Sequence, residues 1–277
     1  MVKTYRLTEI EHAIKIGTIL SRSWFRGSCK AWGNLTPGIF REKYNTELIR
    51  GWRPDFEFEV IEDFKRTAPA LADDLPDNKD YIQWLLLMQH HGAPTRLLDW
   101  TESILVALYF AVSDMRYSGQ DGELWAMYPE SLNIKSGIPG VALLNDHRVS
   151  YLATEPMCFS REKLASKYKL EQIPKFPIAF RPPLKSPRMY SQFSTFTIHP
   201  IPQEQCTIPT LLEDEAHLVR YVIPSESKER IQRDLESLKI TREVLFPNLD
   251  SLGNNLAIVK ILGYSPPRPP ACGGLWV

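Results

Sequence analysis

His90, His91, Arg96 and Asp99 follow the apolar run Trp84 to Met88, and their types and spacing suit a site that holds an anion and moves a proton. Histidine titrates near neutrality and serves as acid or base. Arginine presents a planar fork to phosphate or carboxylate, and a nearby carboxylate fixes a histidine tautomer. A charged group left unpartnered in apolar surroundings is costly, so Arg96 and Asp99 are expected to pair with each other or with a ligand. The segment is either a pinned structural corner or the floor of a pocket.

These residues must be positioned by the elements around them. A helix from Tyr81 to His91 can close on Gly92 in a left-handed C-cap, and Pro94 forbids its continuation. Thr95 to Trp100 reads as a strand, Thr101 as the cap of the next helix, and Ile104, Ala107, Leu108 and Ala111 as that helix's buried stripe. Upstream, Thr8 and Glu11 make a capping box for an amphipathic helix ending near Ser21, followed by a short strand, Ser23 to Gly27. Phe56, Val60, Ile61 and Phe64 recur with helical spacing to about Arg66, a helix expected to pack on the first. Downstream, Asp121-Gly122 signals a turn into an alternating strand, Glu123 to Tyr128.

Residues 129–175 show little regular pattern beyond a short helix near Arg161 to Lys169, and are either a mobile lid or an insertion. Strand character returns at Phe176 to Phe180, Met189 to His199 and His217 to Ile223. A helix from Ser225 to Leu238 follows, whose charges Lys228, Glu229, Arg230, Arg233 and Asp234 read as a solvated face. A short strand, Arg242 to Phe246, a helix from Pro247 to Leu262 and an extended, disordered Pro-rich tail complete the chain. Helices at the front and dispersed short strands behind imply a single α+β domain: an N-terminal helix (1–22), the main domain (23–262) and the tail (263–277).

Composition narrows the function. The chain has 277 residues, 43% of them hydrophobic, enough for a full core. Lys+Arg and Asp+Glu both total 33, so the overall basic excess that drives phosphate-backbone binding is missing and only a local basic groove is open. Cys29, Cys158, Cys206 and Cys272 form no C-x-x-C pair, which argues against a zinc site or disulfide framework, so no metal is expected. No apolar signal core or membrane span is evident, and a cytoplasmic protein with reduced thiols is the expected setting.

Three blocks resemble the FRG domain family, common in bacteria and phages: Trp24 to Gly27, Gln89 to Thr101 with Ala107 to Ala111, and Leu245 to Asp250. Their order is also similar to that of ADP-ribosyltransferases, whose aromatic-Arg-Gly strand holds the phosphates of NAD, whose second strand leads into an Ala-x-x-Phe-like helix, and whose third strand presents an acid. That resemblance implies a split, antiparallel-rich β core with NAD as substrate. Phe25, Arg26 and Gly27, with Thr95, Arg96, Trp100, Thr101 and Tyr109, would bind it, Trp24, Phe25, Trp100 and Tyr109 being candidates to stack on its rings. His90, Gln192 and Asp99 would carry the chemistry. The third strand falls on Arg188 to Thr197, and Gln192 stands where those enzymes have glutamate. An amide can orient a ribose hydroxyl but is no base, so the proton would pass to His90, Asp99, Glu102 or Glu123. The resemblance implies a toxin or antiphage effector with a nucleic-acid or protein acceptor and a neutralising antitoxin partner. A catalytically silent recognition module and a metal-independent nuclease using His90, His91 and Arg96 are the alternatives.

Overall fold

The structure, a computed structural model, describes residues 2–41, 54–158, 160–201, 207–212 and 217–247. In chain order it begins with β1 (Lys3–Arg6), α1 (Ile10–Ile19), β2 (Trp24–Ser28), α2 (Pro54–Thr67), α3 (Tyr81–His90), β3 (Leu97–Thr101) and α4 (Ile104–Val112). It continues with β4 (Gly122–Met127), α5 (Pro129–Lys135), β5 (Ala142–Leu143), α6 (His147–Thr154), α7 (Arg161–Lys167) and β6 (Ile178–Arg181). It closes with α8 (Pro187–Ser191), β7 (Ser194–Ile198), α9 (Ile208–Leu211), β8 (Leu218–Ile223), α10 (Ser225–Ser237) and α11 (Arg242–Leu245). The strands form one mixed sheet in the order β1-β8-β4-β2-β3-β7-β6-β5, so the fold is a single α+β domain. Pairing is antiparallel throughout except at the outer pairs β1–β8 and β5–β6.

The sheet is split at its middle. β2 pairs with β4 from Trp24 to Ser28, and β3 with β7 from Leu97 to Thr101, yet β2 and β3 share only the pair Phe25–Thr101. On one side of this seam α1, α4 and α10 bury Ile10, Ala13, Ala107, Leu108, Ala111 and Ile231 together with Phe25 and Leu124. On the other, α2, α3 and α6 bury Ile61, Leu85, Met88 and Leu152 against Ile178, Phe196 and Ile198. Alternate residues of the same strands, Trp24, Leu98, Trp100 and Trp125 among them, build a third cluster with Leu35 and Ile208.

Local signals explain the elements flanking the seam. Asp80 caps α3 by accepting from the Gln83 N–H at 3.4 Å, and Gly92 follows the helix with φ +79°, as its C-terminal position requires. α4 is apolar nearly all round because it is covered on several sides, and its cap is Ser103. Thr101 instead donates to the Gln192 carbonyl at 2.7 Å and accepts from the Ser103 N–H at 3.0 Å. A Cβ on Gly27 would overlap the Ala107 carbonyl oxygen and lie 2.9 Å from the Ala111 nitrogen, so this glycine lets β2 lie directly on α4.

Several expectations need correction. The N-terminal strand β1 escaped notice because all four residues are exposed. Glu9, not Thr8, is the N-cap of α1. α2 packs against α3 and the 3-10 turn Glu155–Met157, across the seam from α1. β4 is buried along its whole length rather than on alternate positions. Residues 129–175 carry more regular structure than expected: α5, α6 and α7 bury Leu132, Val149, Leu152 and Leu164. Met189 to His199 is a helix followed by a strand, and Arg242 to Phe246 is a helical turn. Lys228 lies inside, donating to the carbonyls of Cys29 at 2.6 Å and Tyr117 at 2.8 Å, so α10's charged face is only partly solvated. The expected helix from Pro247 to Leu262 lies outside the described residues from position 248 onward, as does the 263–277 tail. Among the described residues no helix is long and apolar enough to cross a membrane.

Candidate functional site

Beyond the Phe25–Thr101 pair the register would set Gly27 opposite Asp99, but the strands part there. The Arg26 guanidinium takes the place of the missing ladder bond, its Nη1 donating to the Asp99 carbonyl at 2.6 Å. The gap opens into a cleft of about 370 Å³ with Arg26, Arg41 and Arg188 in its wall and Asp99 as its carboxylate. Gln89 and Gln192 also line it.

The Asp99 carboxylate is held from two directions. Gln89 Nε2 donates to it at 2.6 Å, and Arg26 Nη1 lies 3.7 Å away. The Thr95 hydroxyl donates to Gln89 Oε1 at 2.5 Å, which fixes the amide with its nitrogen toward Asp99. Burial pulls the Arg26 pKa below its ordinary value, Asp99 opposes that, and Arg41 adds repulsion. Arg188 is lowered in the same way, by burial first, with Asp99 opposing and Arg242 adding to the shift. Its Nη1 donates to the His90 carbonyl at 3.0 Å.

Counter-charge separates these arginines from most others. Arg6, Arg22, Arg66, Arg116, Arg148, Arg161, Arg181, Arg220 and Arg230 each face a carboxylate. Among the described residues Arg41, Arg188, Arg233 and Arg242 face none, and Arg26 shares one Asp99 with the whole cleft. A concave site with three guanidinium groups and one carboxylate attracts a multiply charged anion.

Of the residues singled out from the sequence, Phe25, Arg26, Gly27, Asp99, Trp100, Thr101 and Gln192 all border the cleft. Phe25 and Trp100 are also core residues, 2% and 3% exposed, and the Trp100 indole donates to the Thr197 hydroxyl at 3.1 Å. Trp24 is 1% exposed within the third cluster. Gln192 is the residue after α8, not a strand residue, and its Nε2 donates to the Leu245 carbonyl at 2.9 Å.

Thr95, Arg96, His90 and Tyr109 are not in the cleft wall. Arg96 is fully enclosed and makes its pairs with Glu57 and Glu155, not with Asp99. His90 lies behind Arg188 with its ring 5.0 Å from that of His91, and burial, Arg188 and His91 all lower its pKa. Tyr109 packs on Phe110 at 5.7 Å, and burial raises its hydroxyl pKa. Glu102 pairs with Arg181, while the buried Glu123 accepts from the Trp32 and Gly33 N–H groups and from Arg220.

Arg41, Gln89 and Arg188 were not singled out. Gln89 directly precedes His90, but nothing in its neighbours says that its amide faces Asp99; Arg41 reaches the cleft from the end of the turn Gly38–Phe40 and Arg188 from α8, both far from it in sequence. No curated protein and no solved structure matches the chain. The family model of the FRG domain matches residues 21–120, the segment that supplies β2, β3 and α4 and with them Arg26, Gln89 and Asp99.

Proposed function

We propose that the cleft binds a phosphate-bearing nucleotide, NAD in the first instance, and that the protein is an ADP-ribosyltransferase-like enzyme. The observation that carries this reading is the gathering of Arg26, Arg41 and Arg188 around a single carboxylate at a split in the sheet. Arg26 and Arg41 would hold the pyrophosphate. Asp99 is the carboxylate available to stabilise positive charge on the ribose as the glycosidic bond to nicotinamide breaks and nicotinamide leaves with the bonding pair. Gln192 Oε1, on the amide whose nitrogen is held by Leu245, would orient a ribose hydroxyl.

Titration of NAD and ADP-ribose by calorimetry, with mass spectrometry for released nicotinamide, tests the reading. Arg26→Ala is expected to weaken binding by about tenfold to a hundredfold, the range for losing a charged hydrogen-bonding partner. No binding by the unaltered protein at millimolar ligand would refute nucleotide recognition. Binding without nicotinamide release would favour the second reading, a silent recognition module, which the amide at position 192 supports. The nuclease alternative draws no support from geometry, since Arg96 is enclosed and not in the cleft with a histidine.

A further inference from the structure

Arg188 and Arg242 lie over the same aromatic ring, their guanidinium carbons 4.8 and 5.4 Å from the centroid of Phe246. Packing a guanidinium on a ring face fixes its position without using its N–H donors. Arg188 gives one donor to the His90 carbonyl, and among the described residues neither arginine pairs with a carboxylate. The two guanidinium groups on this ring repel each other, and Asp99 offsets only the charge of Arg188, so an anion placed between them relieves the repulsion.

The ring joins this pair to the cleft. Phe246 packs edge-on against Phe110 at 5.9 Å, and Phe110 lines the cleft. The preceding Leu245 carbonyl accepts from Gln192 Nε2 at 2.9 Å and from the Ser191 hydroxyl at 3.2 Å, which ties α11 to the cleft wall. Arg188 faces inward and Arg242 is exposed on the rim, so a ligand meeting both must extend out of the cleft.

We propose that Arg188 and Arg242, held on Phe246, form a second anion subsite that receives the phosphodiester backbone of a single-stranded nucleic acid, the acceptor in the reaction. The proposal rests on the cleft being the donor site. A single strand fits better than a duplex because 33 Lys+Arg against 33 Asp+Glu give no overall basic excess to hold a duplex, whereas a two-arginine subsite matches one flexible backbone.

Fluorescence anisotropy with short labelled DNA and RNA single strands, measured over a salt series without NAD, tests this. Arg242→Ala is expected to weaken strand binding about three- to tenfold and to lower the salt slope by about one. Arg233→Ala, which removes another arginine that faces no carboxylate, on α10, is expected to leave both unchanged. A parallel ADP-ribose titration reads the cleft itself and is expected to be indifferent to Arg242→Ala. Failure of the unaltered protein to bind either strand, equal losses from Arg242→Ala and Arg233→Ala, or no loss from Arg242→Ala would overturn the proposal while leaving the donor site to be judged by ADP-ribose. Loss of ADP-ribose binding in Arg242→Ala would also overturn it, by assigning the pair to the donor.

Discussion

Arg96 and Arg26 are both largely withdrawn from solvent on neighbouring segments of the same sheet, yet they differ in how fully their donors are used. Arg96 makes two bonds to Glu57 at 2.7 Å, one to Glu155 at 2.8 Å and one to the Leu152 carbonyl at 3.0 Å. Burial alone would lower its pKa, but the carboxylates of Glu57 and Glu155 overcome that and hold it well above its ordinary range. Arg26 makes one short bond, to a carbonyl, and shares a carboxylate at 3.7 Å. Burial therefore does not tell a structural arginine from a binding one; the number of donors left over does. Arg96 fastens α2 and the turn after α6 to the start of β3, and Arg26 keeps hydrogens for a ligand.

The largest effect should come from the saturated member. Arg96→Met strands Glu57, which is 1% exposed, without its cation and leaves the 4% exposed Glu155 only its pair with Arg161, and should cost about 3–5 kcal/mol. Thermal unfolding should fall on the order of 10 °C. Arg26→Ala removes one bond, worth about 1 kcal/mol, and should move the melting temperature by only a few degrees while weakening ligand binding at least about tenfold. Equal melting losses in the two variants would abolish the distinction.

Between the two arginines lies His199, which sharpens the comparison. Its backbone N–H donates to the Arg96 carbonyl at 3.2 Å, and Nε2 lies 2.9 Å from the Thr197 hydroxyl, which already accepts from Trp100. With its pKa far below neutrality the imidazole is neutral at pH 7. Burial, then Arg96 and Arg26, push its pKa down to about 3. A cationic group with a depressed folded pKa takes up its proton first in the unfolded chain, so its contribution to stability is complete above pH 6.5 and declines toward pH 3. By pH 5 the loss should reach about 2 kcal/mol. His199→Gln should flatten that limb in chemical denaturation measured from pH 7 to 5. A slope unchanged by the substitution would mean that the ring is not enclosed between the two cations.

The frame of this arrangement was legible in the sequence. Helix α3 with its Gly92 terminus, β2, α4 and β8 follow from periodicity and turn chemistry. What was not legible depends on contacts made at long range. Arg96 and Asp99 looked like natural partners three residues apart, but strand alternation turns them to opposite faces, and Arg96 finds Glu57 and Glu155 instead. Lys228 looked solvated because its helix neighbours are charged, whereas the carbonyls that hold it belong to the loops after β2 and α4. Residues 129–175 seemed patternless because their helices are short and bury irregular sets of side chains. Arg26, Gly27 and Asp99 were legible as site residues, but the reason they meet, a seam with one paired position, is a property of the whole sheet.

Gln192 gives the smallest and most discriminating expectation, because two ideas about it differ in sign. If its amide merely stands where a catalytic carboxylate belongs, Gln192→Glu should raise nicotinamide release. The geometry favours a different outcome. Its Nε2 is a donor to the Leu245 carbonyl, and it is that bond, with Ser191, that ties α11 to the cleft. A glutamate would set an ionised oxygen against the Leu245 carbonyl, replacing an attraction by a repulsion. The variant should lose about 1 kcal/mol of stability, or a few degrees of melting temperature, with no gain in nicotinamide release. Single-turnover assays across a pH range would separate the cases. A gain that appears only as the new carboxylate ionises would show that charge, not the fastening of α11, limits the reaction, and Arg26 would then act beside a conventional acid rather than beside Asp99 alone.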